Sequence, residues 1–170
     1  MLLRITKLFS MLALVLAVGA CASATTKVSQ PVAAPVKVET IQIVRAPDTV
    51  AVEQSVSEHF EKRLRQYLYE KGPFKEGDDV TVTYRFVQLD RGSRASRYFL
   101  GPFGGKGTMT IEAVFTDGNS NTLSTIEVGG EIAGGIFGGD FDEALSKAAG
   151  EVSDYAEEFF GAGETANVSR

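Results

Sequence analysis

The sequence predicts one α+β domain in two layers, a four-stranded mixed sheet with two helices on one face, in the order β-α-β-β-β-α. Three observations carry this expectation. Apolar residues recur at helical spacing in two stretches, near residues 52–68 and 141–159. Between those stretches apolar and polar residues alternate with period two, the pattern of half-buried strands. Strong turn signals separate the alternating runs.

The elements follow in order. Residues 38–44 form a short strand closed by Ala46-Pro47-Asp48. Val52, Val56, Phe60, Leu64, Tyr67 and Leu68 make one helical stripe, with Asp48 or Thr49 as its cap and Gly72-Pro73 as its stop. Val80, Val82, Tyr84 and Phe86 alternate with Thr81, Thr83 and Arg85; Val87 and Leu89 break the phase, which predicts a bulge there. Met109, Ile111, Ala113 and Phe115 form the next strand, and Asp117-Gly118-Asn119-Ser120-Asn121 turns the chain back through residues 123–132. Phe141, Leu145, Ala148, Val152, Tyr155 and Phe159 make the last helix, with Asp140 and Glu143 spaced as a capping box. The bland reading of both stripes is core packing on one side of the sheet.

The N-terminus has the composition of an export signal. Arg4 and Lys7 precede an apolar run at residues 8–17, which is shorter than the ~20 residues needed to span a bilayer. Val18-Gly19-Ala20-Cys21 then resembles the lipobox of bacterial lipoproteins. That resemblance implies cleavage after residue 20, lipidation of Cys21, and membrane attachment through the N-terminal lipid. Several acyl chains at ~0.8 kcal/mol per buried methylene make such an anchor effectively permanent. Ala22 in place of Asp implies the outer membrane, facing the periplasm, if the host has two membranes. The organisation expected is residues 1–20 signal, 21–38 lipidated N-terminus and flexible tether, 39–160 domain, and 161–170 flexible tail. A tether of seventeen residues, 22–38, would reach ~20–25 Å.

Charge and composition exclude several function classes. The first twenty residues hold two basic residues and no acid, so the rest carries 15 Lys and Arg against 22 Asp and Glu, a charge of −7. A net acidic chain is a poor nucleic-acid binder, because phosphate contacts need clustered cations. Cys21 is the only cysteine and His59 the only histidine, so neither a disulfide nor an ordinary zinc site is expected. No cofactor is expected.

Two segments do not read as regular structure. One spans residues 91–107 and includes Arg91, Arg94, Arg97, Phe99, Leu100, Phe103, Gly104, Gly105 and Lys106. The other spans residues 134–140 and includes Gly138 and Gly139. A right-handed crossover makes the first two strands parallel. Both segments and both helix N-termini then fall at one edge of the domain. Residues 85–106 carry five cations, Arg85 included, against Asp90 alone, a local +4. Arginine forks match phosphate and carboxylate oxygens, glycines permit close backbone approach, and helix N-termini favour anions. An anion- or partner-recognising edge formed by Arg91, Arg94, Arg97, Lys106, Gly104, Gly105, Gly138 and Gly139 is one reading. The other pairs the arginines with the acidic last helix and leaves the glycines to tight turns.

Catalytic motifs fail. The residues from Gly101 to Thr108 are one short of a P-loop, carry Gly107 where Ser or Thr is needed, and precede a strand. Asp78-Asp79 and the Asp140, Asp142, Glu143 group read as loop solvation and helix capping.

Gly92, Arg94, Arg97, Gly101, Gly105 and Gly107, then Asp117-Gly118, then residues 134–140 (GGIFGGD) resemble an uncharacterised bacterial lipoprotein family defined by a domain of unknown function. The resemblance covers about residues 40–160 and brings no catalytic residue with it. The functional expectation is a lipid-anchored, non-catalytic binding or assembly module of the envelope, recognising an anionic envelope ligand or a protein partner through that edge. The alternative is a structural homo-oligomer, such as a ring, with Phe99 and Phe103 as contacts. A hydrolase ranks third.

Overall fold

The computed structural model describes residues 23–90, 107–132 and 141–161. Among these the elements run β1 (Ser23–Gln30), β2 (Thr40–Arg45), α1 (Gln54–Arg65), β3 (Lys75–Glu76), β4 (Val80–Asp90), β5 (Gly107–Asp117), β6 (Thr122–Ile132) and α2 (Phe141–Phe160). The strands form one mixed sheet in the order β1-β6-β5-β4-β2-β3. The α+β class, the two helices and the parallel β2–β4 pair agree with expectation. The four-stranded sheet does not: it has six strands.

The two added strands have different origins. β3 is two residues long and borders β2 in parallel, where the chain returns from α1. β1 lies in the stretch expected to be a flexible tether and pairs antiparallel with β6 from Ser23 to Gln30. Its sequence, SATTKVSQ, has β-branched residues but no apolar alternation. Its place is set from outside, by the β6 ladder and by the Thr26 hydroxyl donating to Glu151 of α2 at 2.7 Å. The connection from β1 to β2 is also docked. Val36 and Val38 N–H groups donate to the Phe159 and Phe160 carbonyls at 3.0 and 2.9 Å, partnering the last turn of α2.

Alternation sorts the sheet into two faces. Val80, Val82, Tyr84 and Phe86 of β4, Met109, Ile111, Ala113 and Phe115 of β5, and Ile126 and Val128 of β6 are buried under the helices. From α1 come Val56, Phe60 and Leu64; from α2 come Leu145, Ala148, Val152, Tyr155 and Phe160. Phe60 packs its ring 4.9 Å from Tyr84 and 5.8 Å from Phe86, and Phe115 sits 5.1 Å from Phe160 and 5.6 Å from Tyr155. Burying one such ring is worth about 2–3 kcal/mol. Phe160, rather than the expected Phe159, takes the fully buried place at the end of α2.

α1 starts later than Asp48 or Thr49 implied. Its N-cap is Glu53, without a side-chain cap bond. Asp48 and Thr49 are used instead to extend the β2 side of the sheet, as described below. At its other end α1 continues as a π-helical turn, Gln66–Lys71, before Gly72 stops it. Val56, Phe60, Leu64 and Leu68 are spaced by four throughout. In an α-helix that spacing drifts by about 40° per step. The wider π turn rotates less per residue and brings Leu68 back to the core, where it is fully buried.

The turn after β5 closes as its sequence requires. Asp117 Oδ1 accepts the Asn119 and Asn121 N–H groups at 2.9 and 2.8 Å, and Ser120 takes a positive φ of 65°. These bonds, led by the one from the Asn121 side chain, hold the Asp117 carboxyl below its usual pKa.

Candidate functional site

The sheet register places four strand ends in one row. Asp90 pairs with Thr108, Thr108 with Glu131, and Glu131 with Ser23. β4 and β6 therefore end, and β5 and β1 begin, at the same end of the sheet. Residues 91–106 leave and re-enter the sheet at this row, and residues 133–140 leave it for α2. The helices meet where His59 Nδ1, in the second turn of α1, comes within 3.9 Å of Asp142 Oδ1, in the first turn of α2. The anticipated convergence is thus seen in the roots of the two segments. Arg91, Arg94, Arg97, Lys106, Gly104, Gly105, Gly138 and Gly139 themselves lie outside the described residues, as do Cys21, Phe99, Phe103 and Asp140.

The expected bulge is present and shapes this end. The β4–β5 register shifts between Phe86 and Gln88, so Val87 is the extra residue. Beyond it the facing of β4 inverts: Leu89 packs against the core, while Gln88 joins Thr110 on the face that the helices do not cover. Gln88 donates to Thr108 Oγ1 at 3.3 Å and accepts from Thr110 Oγ1 at 3.4 Å. Thr110 pairs with Gly129, and Gly129 with Thr25. A Cβ on Gly129 would lie 3.6 Å from Thr25 Oγ1, so its missing side chain leaves a trough between the two threonines. The resulting cleft of about 470 Å³ is lined by Thr25, Gln88, Thr108, Met109, Thr110, Gly129 and Gly130. Its polar groups are hydroxyls and a carboxamide, able to bond neutral or hydroxyl-rich ligands and carrying no charge of their own. Sequence reasoning missed it, because its composition depends on which strand neighbours which.

One cation is reassigned. Arg85 lies deeper along β4 and grips Glu112 on β5 through Nε at 2.8 Å and Nη2 at 2.7 Å. Arg85, Glu112, Glu127 and Lys27 form one cross-strand row, closed by Lys27 on Glu127 at 3.3 Å. Arg85 is thereby neutralised in the sheet and adds nothing to the charge of residues 91–106.

Beside the bulge, Asp48 Oδ1 accepts the Phe86 N–H at 2.9 Å, and its other oxygen takes a bond from Arg45. Ala46 N–H donates to the Tyr84 carbonyl and Thr49 N–H to the Phe86 carbonyl, so this stretch extends the ladder past the end of β2. Arg45 also donates to Ser57 Oγ at 2.7 Å, which ties the ladder to the first turn of α1.

Titratable groups elsewhere serve the core. The buried Tyr84 hydroxyl donates to Glu61 at 3.1 Å, and burial, reinforced by the Glu61 charge, raises its pKa. Glu61 also receives Arg65 at 3.1 Å, and Arg65 reaches Glu76 at 3.0 Å. His59 Nε2 is buried with no hydrogen-bond partner among the described residues. No group of three or more His, Cys, Asp or Glu among those residues is arranged to hold a metal ion. A second cleft, of about 650 Å³, lies at the opposite end between Lys37, Val38, Glu39, Asp78, Asp79 and Gly118. There Asp79 accepts the Thr40 N–H at 3.1 Å, one of the bonds that lower its pKa, the bond from the Thr40 side chain being the largest.

No curated protein matches the sequence. Among solved structures, a variant of the PelC dodecamer from Paraburkholderia phytofirmans is similar at 10% identity and TM-score 0.44, over 84% of this chain and 100% of that one. PelC in a second crystal form is similar at 12% identity and TM-score 0.43, with the same coverage. A minor lipoprotein from Acinetobacter baumannii is similar at 10% identity and TM-score 0.40, over 71% of this chain and 93% of that one. Likeness at this level carries no functional argument. A family model matches residues 40–135, more than half of the chain and most of the stretch that carries the resemblance noted in the sequence, and the chain belongs to that family, described as Domain of unknown function (DUF4410).

Proposed function

We propose that this chain is a lipid-anchored protein of the bacterial envelope, attached through Cys21 and facing the periplasm from the outer membrane. Its domain acts as a non-catalytic binding or assembly module, working through the sheet end where residues 91–106 and 133–140 are rooted. The observation supporting this most is the shared terminal row of β4, β5, β6 and β1. It gives one end of the sheet to a sixteen-residue segment with four cations and no acid. The ligand class is an anion of the envelope, a phosphorylated glycan or an acidic headgroup. The neutral hydroxyl and amide lining of the adjoining cleft suits the sugar or glycerol part of such a ligand.

The test is a titration of the Cys21→Ser mature chain with phosphorylated glycans and with vesicles of anionic lipid. Saturable binding that weakens at least tenfold in an Arg94→Ala, Arg97→Ala variant supports the reading, and unchanged affinity removes it. Sedimentation of the same sample separates the alternative. A concentration-dependent oligomer that binds neither probe assigns the edge to self-association.

A further inference from the structure

We propose that the sheet end carrying Ser23, Asp90, Thr108 and Glu131 stands directly against the lipid surface, so that the strands point away from the bilayer. This rests on the lipidation of Cys21 proposed above, and what it adds is an orientation. A free tether of seventeen residues would let the domain tumble within ~20–25 Å of the membrane. The structure removes that tether. β1 begins at Ser23, and its backbone is paired with Glu131 from that residue onward. Two peptide steps separate Cys21 from Ser23, a span of at most about 7 Å between Cα atoms.

Ser23 sits in the same row as Asp90, Thr108 and Glu131. An acylated Cys21 therefore draws this end of the sheet, and no other, to the headgroups. The opposite end, with the Asp117–Asn121 turn, stands off by the length of β5, whose 11 residues span about 35 Å. Charge acts in the same sense. The segment rooted at Asp90 and Gly107 contributes Arg91, Arg94, Arg97 and Lys106. Anionic headgroups attract such cations within a Debye length of the surface. The acidic pair Asp78 and Asp79 precedes β4 at the far end, while the contact row itself carries Asp90 and Glu131, which the four cations of residues 91–106 outnumber. The partner this surface fits is the headgroup layer of the protein's own membrane.

The experiment uses the full-length, lipidated protein in phosphatidylethanolamine–phosphatidylglycerol vesicles that contain a nitroxide-headgroup lipid. Acylation consumes the Cys21 thiol, so Gln88→Cys or Asn119→Cys each provides a single site for a fluorophore. Both positions are exposed, one near the proposed contact and one at the far turn. Quenching at position 88 should exceed that at 119 by at least about fivefold, given their separation along the sheet. Insertion of twelve Gly and Ser residues after Ala22 should bring the ratio toward one. Equal or reversed quenching overturns the orientation while leaving the anchor intact, and a ratio unchanged by the insertion overturns the short linkage through β1 as its cause. An intact mass with Cys21 unmodified overturns the anchor and the orientation together.

Discussion

Replacing Asp48 with Ala should cost about 2–3 kcal/mol, chiefly through one backbone amide. The Asp48 carboxylate accepts the Phe86 N–H at 2.9 Å beside the β4 bulge, and its side chain is only 11% exposed. Phe86 is itself fully buried, so water cannot readily replace the lost acceptor. A buried hydrogen bond to a charged group is worth ~1.5–3 kcal/mol, and an orphaned amide carries a similar penalty. The Arg45 partner adds less than about 1 kcal/mol, because its side chain is one-third exposed and keeps its bond to Ser57. For a domain of this size the thermal midpoint should fall by about 8–12 °C. Urea unfolding of the Cys21→Ser mature chain reads the change as a lower midpoint at unchanged slope. Asp48→Asn, which keeps an oxygen for the amide and gives up only the charge, should cost about 1 kcal/mol. A loss below about 0.5 kcal/mol for Asp48→Ala would refute the reasoning. So would equal losses for the two variants, since the charge and not the amide acceptor would then dominate.

Other outcomes follow from the same contacts. Gly150→Ala in α2 should stabilise by about 0.5–1 kcal/mol, since a methyl there meets nothing within 4 Å and the helix interior favours Ala. Gly72→Ala should destabilise by about 1–3 kcal/mol, because its Cβ would stand 2.6 Å from the Tyr67 carbonyl oxygen; thermal melts of the pair give opposite signs. The folded pKa of Asp117 is lowered, so its contribution is present above the unfolded carboxylate pKa of about 4 and is lost as pH falls through the folded value. The stability gap between the native chain and Asp117→Ala should therefore narrow as acid is added, and a gap constant down to pH ~2 would contradict that assignment. Hydrogen exchange should find the alternate amides of residues 23–30 that face β6 protected, where a free tether would exchange at once, and Thr26→Ala should loosen them by about 1 kcal/mol through loss of the Glu151 bond.

The readable part of this fold lay where local pattern and burial coincide. β5, β6, β4 up to its bulge and α2 up to Tyr155 each bury one periodic set of side chains, so sequence spacing names the core face of each. The β4 bulge was legible for the same reason, as Leu89 is apolar at a position that the earlier alternation assigns to the open face. The start of α1 was not. Asp48 has the chemistry of a helix cap, but its carboxylate accepts the N–H of Phe86, thirty-eight residues away in sequence.

By itself, the sequence settled the class, the two helices, the central hairpin, and the concentration of cations and glycines in segments rooted together. Those depend on short-range periodicity and on connection rules that hold for any chain. Only the tertiary structure decided that β1 is a strand, that Arg85 is spent on Glu112, and that Gly129 opens a polar cleft between Thr110 and Thr25. Each of these depends on a partner that is remote in sequence. Edge pairing stabilises a polar strand through backbone bonds that leave no hydrophobic trace, and a cross-strand neighbour is set by register, which no local stretch of sequence encodes.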